Sequence, residues 1–133
     1  MTATRPSTAA SPISGERSPG PLRPLQESGE TFGVLVVSQD GDGVLICVQG
    51  EIDVASAPLL WKAVDEAIDT TTRRLVIDLH DTVFVDSTAL SIFVRAFKRL
   101  RHQGADLVLR SPRANALKVL SVTGLDTVFT IEP

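Results

Sequence analysis

From Phe32 onward, short runs of β-branched residues alternate with stretches of helical periodicity, and this alternation constrains the fold more than any single motif. Strands separated by helices require parallel crossover connections, so the later part of the chain predicts a parallel sheet with helices against it. The opening departs from that rule. Only "QDGDG" separates "FGVLVVS" from "VLICVQ", and its Gly and Asp residues suit a hairpin turn between antiparallel strands.

After "GEIDVAS", Ser56 is placed to cap a helix from about Ala57 to Ile68, with Pro58 in the first turn, where its missing N–H does no harm. Leu60, Ala63, Val64, Ala67 and Ile68 recur at helical spacing. Trp61 lies off that stripe and is expected to flank the core. "RRLVIDLH" then gives a nearly continuous apolar strand ending at Leu79, central in its sheet and covered on both faces. A connection crosses from there to Asp86, and a helix runs from about Ser87 to Gln103.

That second helix carries Leu90, Phe93, Val94, Phe97 and Leu100 on one stripe. Arg95, Lys98, Arg99 and Arg101 populate its solvated face and last turn, and Gly104 stops it. A third unit repeats the scheme: "ADLVLR" as a strand, "SPRANALKVLSVTG" as a helix capped by Ser111 and ended near Gly124, and "TVFTI" as a last strand. The predicted order is β-β-α-β-α-β-α-β, an α/β fold with a mixed sheet.

A chain of 133 residues holds one such domain. Residues 1–30 are rich in Ser, Thr, Pro, Gly and Ala, with too little apolar surface to offset ordering, so they are expected to form a disordered leader before a domain spanning 31–133. No signal-like or bilayer-length apolar segment is present, and a soluble, cytoplasmic protein without membrane insertion is expected. The leader's Arg5, Arg17 and Arg23 balance Glu16, Glu27 and Glu30, which leaves the domain with the net charge of −3. An acidic domain with one tryptophan and no tyrosine is a poor nucleic-acid binder. Cys47 cannot form an internal disulfide and is expected in the core rather than in a redox role.

The residue types for several chemistries are missing. His80 and His102 have no metal-ligand spacing with each other or with Cys47, so no metal is expected. No glycine-rich phosphate loop occurs, so no nucleotide or other cofactor is expected. Ser87 lacks the GxSxG turn of a hydrolase nucleophile. Asp78, Asp81 and Asp86 cluster near one strand end, as turn chemistry does. No catalytic residue and no enzyme activity are expected.

What "FVDSTAL" offers is position, since Ser87 falls at a helix N-terminus, which carries about half a positive charge and unpaired N–H groups. Two roles are open there. Asp86 or Ser87 can act as the N-cap, worth roughly 1 kcal/mol. Alternatively, Ser87 accepts a phosphoryl group, whose charge of about −1.5 to −2 a helix N-terminus tolerates without unfolding.

With "VQGEIDVASAP", "VIDLHDTVFVDSTAL", "RHQGADLVLRSP" and "VLSVTGLDTVF" in this order, the chain resembles the STAS-domain family, and within it the bacterial anti-anti-sigma factors, from about Val44 to Ile131. The resemblance implies an activity: binding an anti-sigma factor that is also a serine kinase of the histidine-kinase-like ATPase group, thereby releasing a sigma factor. Phosphorylation by that kinase would break the complex, and a cognate phosphatase would restore it. The phosphorylated serine of the motif falls on Ser87, with Thr88 as backup. Gly50, Glu51 and Asp53, together with Asp86, Ser87, Thr88, Ala89 and Leu90, match the partner-contacting segments, and Gly124 with Leu125 matches a late helix stop. The free protein is expected to be a monomer or weak dimer.

Three features depart from the family pattern. Ala89 replaces the motif's glycine and adds a methyl near the acceptor, the chain ends at Pro133 where many relatives continue into a helix, and the leader is extra. Two other functions stay open beside the first: a non-phosphorylated scaffold or regulatory subunit of a membrane transporter, and a small-ligand sensor at the sheet edge.

Overall fold

In the computed structural model, residues 32–38 and 41–133 are described. The expected disordered leader over residues 1–30 lies outside the described residues. Strands β1 (Gly33–Ser38) and β2 (Gly43–Ile52) pair antiparallel, as their short link requires. Then follow α1 (Ala57–Ala67), β3 (Arg74–Val85), α2 (Ser87–His102), β4 (Asp106–Arg110), α3 (Ala114–Thr123), a 3-10 turn at Leu125–Thr127 and β5 (Thr130–Glu132). The five strands lie in the order β1-β2-β3-β4-β5, with every pair after the hairpin parallel. The expected element order and the central place of β3 are both found.

Because every crossover steps one strand in the same direction, right-handed connections place α1, α2 and α3 on one face of the sheet. Ile46 and Val48 of β2, Leu75, Ile77 and Leu79 of β3, and Leu107 and Leu109 of β4 meet Leu60, Val64, Phe93, Leu100 and Leu120 of the helices in a single buried core. Phe129 closes its far end, edge-on to Phe93 and Phe97 at centroid distances of 6.4 and 5.6 Å. Burying a side chain of this size contributes about 1.5 to 3 kcal/mol, so this layer supplies most of the favourable term in folding.

Several elements depart from the sequence expectation, although the covering of β3 on both faces is found: Val76 and Val108 face away from that core and are themselves buried, with Leu45 beside Val76 in the neighbouring strand. Cys47 shares their face and is half-buried rather than core. Burial, and then the nearby Asp78 carboxylate, push its thiol pKa up.

β3 does not stop at Leu79. Thr82, Val83, Phe84 and Val85 are strong strand formers, and β2 runs beside them until Glu51 pairs with Phe84 and Ile52 with Val85. Two bulges make this possible. From Cys47 to Gln49, β2 advances two residues while β3 advances three, Asp78 to Asp81; from Gly50 to Glu51 it advances one against two, Thr82 to Phe84. Thr82 is buried between the bulges, and its hydroxyl donates to the Val48 carbonyl at 2.8 Å.

Ser111 does not cap α3. It adopts a left-handed φ of 54°, Pro112 follows it, and the helix begins at Ala114 with Arg113 in the N-cap position. The last strand is shorter than "TVFTI", because Gly124, at φ 79°, turns the chain into the 3-10 segment before β5 begins at Thr130.

Candidate functional site

The turn from β3 into α2 is fixed by hydrogen bonds that draw on β2, α2 and α3. Asp86 is the N-cap, in extended conformation, and its Oδ1 accepts from the Thr88 backbone N–H at 2.8 Å. The Thr88 hydroxyl donates to the same oxygen. Just before the cap, the Asp86 N–H donates to the Ile52 carbonyl at 3.3 Å, which ties the turn to the end of β2. The Val85 N–H donates to Asn115 Oδ1 of α3 at 2.9 Å.

Of the two cap candidates, Asp86 takes the role, and Ser87 becomes the first residue of the helix. Ser87 is exposed, and among the described residues its hydroxyl has no hydrogen-bond partner. The Thr88 hydroxyl is half-buried and engaged by the cap. Among the described residues of this turn, the Ser87 hydroxyl is therefore the one left unengaged.

Beside this turn lies the link from β2 to α1. Gly50 is buried at φ 92°, a conformation that L side chains rarely adopt, and it sits at the second bulge. Ser56 occupies the N-cap position of α1 without capping it. Its hydroxyl instead donates to the Glu51 carbonyl at 2.7 Å and accepts from the Asp53 N–H at 3.0 Å. Asp53 returns the contact, as its Oδ1 accepts from the N–H groups of Ser56 and Ala55, both at 3.0 Å. The Ser56 N–H, first among these donors, holds the Asp53 carboxyl below its usual range.

α1 and α2 run side by side in step. Arg95 lies over the Trp61 ring, Arg99 pairs with Asp65, and Gln103 donates to the Asp69 carbonyl at 2.7 Å; each pair is 34 residues apart. The Asp86 N–H to Ile52 carbonyl bond has the same offset at the upper end, so the Asp53 loop and Ser87 stand together at the sheet edge where α1, α2 and α3 all begin.

Of the residues singled out from sequence, Ser87 is exposed, and Glu51, Asp53, Asp86 and Thr88 are half-buried around it. Gly50, Ala89 and Leu90 are buried and support the loops from beneath. Ala89 has no exposed surface, so its methyl points into the core rather than toward anything that approaches Ser87. Sequence reasoning missed Val54, 75% exposed at the tip of the Asp53 loop, and Asn115, whose role depends on the chain returning after β4.

Among the described residues no side chain is hydrogen-bonded to Ser87 Oγ as a base would be, and no group of His, Cys, Asp and Glu is arranged to hold a metal. No helix among them is long and apolar enough to cross a membrane.

Comparison with known proteins agrees with this arrangement. Residues 34–133 match the model of the STAS domain. The chain is 34% identical over 101 residues to the anti-sigma-B factor antagonist of Listeria monocytogenes, covering 76% of this chain and 89% of that one. It is also 34% identical over 96 residues to the anti-sigma-B factor antagonist of Bacillus subtilis, covering 71% and 86%. Among solved structures, an anti-sigma factor antagonist from Mycobacterium paratuberculosis superimposes with a TM-score of 0.68 at 31% identity, over 77% of this chain and 86% of that one.

Proposed function

The chain belongs to the STAS-domain family, and on that premise we propose that it is an anti-sigma factor antagonist whose binding is switched off by phosphorylation of Ser87. Its partner is an anti-sigma factor that is also an ATP-dependent serine kinase, and binding frees a sigma factor for transcription. A phosphatase that removes the phosphate restores binding. The relatives' names support the antagonist activity. The observation that carries the switch is the Ser87 hydroxyl, exposed and unengaged at the first position of α2.

In the transfer, Ser87 Oγ attacks the γ-phosphorus of ATP held by the kinase, and ADP leaves. The hydroxyl proton goes to a base on the kinase, because no carboxylate of this chain is hydrogen-bonded to the hydroxyl among the described residues. The new phosphate adds about 1.5 to 2 negative charges. The helix N-terminus offsets part of that charge, so α2 stays folded. Toward the partner the charge adds to those of Asp86, Asp53 and Glu51, and the complex breaks by repulsion and bulk. The contact set is Glu51, Asp53, Asp86, Ser87 and Thr88, held by the buried Gly50, Ala89 and Leu90.

Incubated with its cognate kinase, ATP and Mg²⁺, the wild type should gain one phosphate, located by mass spectrometry at Ser87, and Ser87→Ala should gain none. A phosphate elsewhere, or none on the wild type, overturns the switch. Ser87→Asp should bind the partner at least about tenfold more weakly, or 1.4 kcal/mol, with an unchanged circular dichroism spectrum. Loss of helix in that variant contradicts the argument from the helix terminus.

A further inference from the structure

Ser87, Ser91, Arg95, Lys98 and His102 are all exposed and fall on one line along the outer side of α2, at steps of four, four, three and four residues. At about 1.5 Å per residue the ridge is roughly 22 Å long. Its upper end carries hydroxyls and its lower half cations. Lys98, Arg101 and His102 line an open depression of about 300 Å³ there.

Cations in the last turn of a helix are ordinary, because the dipole favours them. That accounts for Arg101 and His102, while Arg99 is taken up by Asp65 and by the Ile68 carbonyl at 2.8 Å. It does not account for Arg95 and Lys98 further up the helix. Nor does it explain why no acidic residue occurs between Ser87 and Gly104, where a merely solvated helix interleaves acids at i,i+4.

Two of these cations are held by aromatic rings instead. The Arg95 guanidinium lies 3.8 Å from the Trp61 ring centre, and that of Arg101 lies 5.7 Å from the Phe97 ring centre. An aromatic face orients a guanidinium without neutralising it. Among the described residues, Arg95, Lys98 and Arg101 have no carboxylate within ion-pair distance. In a chain of net charge −3, this is a segregated positive surface continuous with the switch serine.

We propose that this ridge docks an acidic surface segment of a protein partner, laid along α2 with one end at Ser87. The inference rests on reading Ser87 as the partner-facing switch, and it assigns the facing side of the kinase-type anti-sigma factor an acidic character opposite Arg95, Lys98 and Arg101. A nucleic acid fits less well, because Glu51, Asp53 and Asp86 stand at the upper end of the ridge and would repel a phosphate backbone.

The probe is a deca-glutamate peptide titrated into the full chain and followed by amide resonances, with a short DNA duplex in parallel. The peptide should shift amides of residues 91–103, and its binding should weaken as salt is raised. Lys98→Glu should lower peptide affinity at least about fivefold, while Lys118→Glu, the same charge change on α3, leaves it within about twofold. In phosphorylation assays, Lys98→Glu should raise the kinase KM for this substrate and leave kcat unchanged.

Shifts spread evenly over Lys62, Arg73, Arg113 and Lys118, equal losses in the two lysine variants, or duplex binding tighter than peptide binding would each overturn the proposal. Failure of the kinase to modify Ser87 while the peptide still shifts amides of residues 91–103 sinks the switch and not the ridge.

Discussion

Replacing Ala89 by Gly restores the glycine usual in the family motif, and it should destabilise the protein without altering the switch. Ala89 has no exposed surface and belongs to the core cluster under the first turn of α2. Removing its methyl forfeits about 0.8 kcal/mol of burial, and glycine in a helix costs up to about 1 kcal/mol more than alanine. The sum is about 1.5 to 2 kcal/mol, or a fall in Tm of roughly 6 to 16 °C for a domain of this size. Urea unfolding followed by the fluorescence of Trp61, the single tryptophan, measures it as a lower midpoint at unchanged slope. The KM and kcat for phosphorylation of Ser87 should stay as in the wild type. A loss below about 0.5 kcal/mol would mean that the methyl is not packed as described, and a shifted KM would place Ala89 at the partner's surface and undo the distinction between support and contact.

Asp86→Ala should cost about 1 kcal/mol through loss of the N-cap, read as a lower urea midpoint that Asp86→Asn largely restores; an alanine variant as stable as the wild type would remove Asp86 from that role. Asp53 titrates below its usual value of 3.8 because backbone N–H groups bind its carboxylate. A depressed folded-state pKa contributes stability that is present above the unfolded value and lost as pH falls through the folded one. Acid unfolding of the wild type should therefore steepen below about pH 4 relative to Asp53→Asn, and identical acid profiles would show that the Asp53 loop does not hold its charge in the folded state.

The order of elements and the turn from β3 into α2 were legible because they depend on local signals. A continuous apolar strand, a carboxylate before a helical stripe, and Gly104 and Gly124 at helix ends are all set within a few residues. The end of β3 was not legible, since the bulges break the two-residue alternation and the first of them leaves His80 and Asp81 both exposed in mid-strand. Ser56 and Ser111 each precede a helix and read as caps, but one hydroxyl is used inside the Asp53 turn and the other residue takes a left-handed turn before Pro112. The division between contact and support was equally hidden. Ala89 and Leu90 follow Ser87 in the motif, yet the helical turn carries both inward. Asn115 and the Arg95–Trp61 pair depend on elements that meet only after the chain has crossed the sheet.

The two bulges of β3 set the phase of the turn into α2. Each inserts one residue that β2 does not match, and together they decide on which side of the sheet the strand is pointing when it releases the chain into α2. A strand shortened by one of those residues would arrive half a pleat out of step, with Asp86 turned away from the Ile52 carbonyl and Ser87 turned inward. Single-residue deletions between Asp78 and Phe84 are thus a different class of lesion from substitutions there. They leave the chemistry of the serine intact and rotate it out of reach.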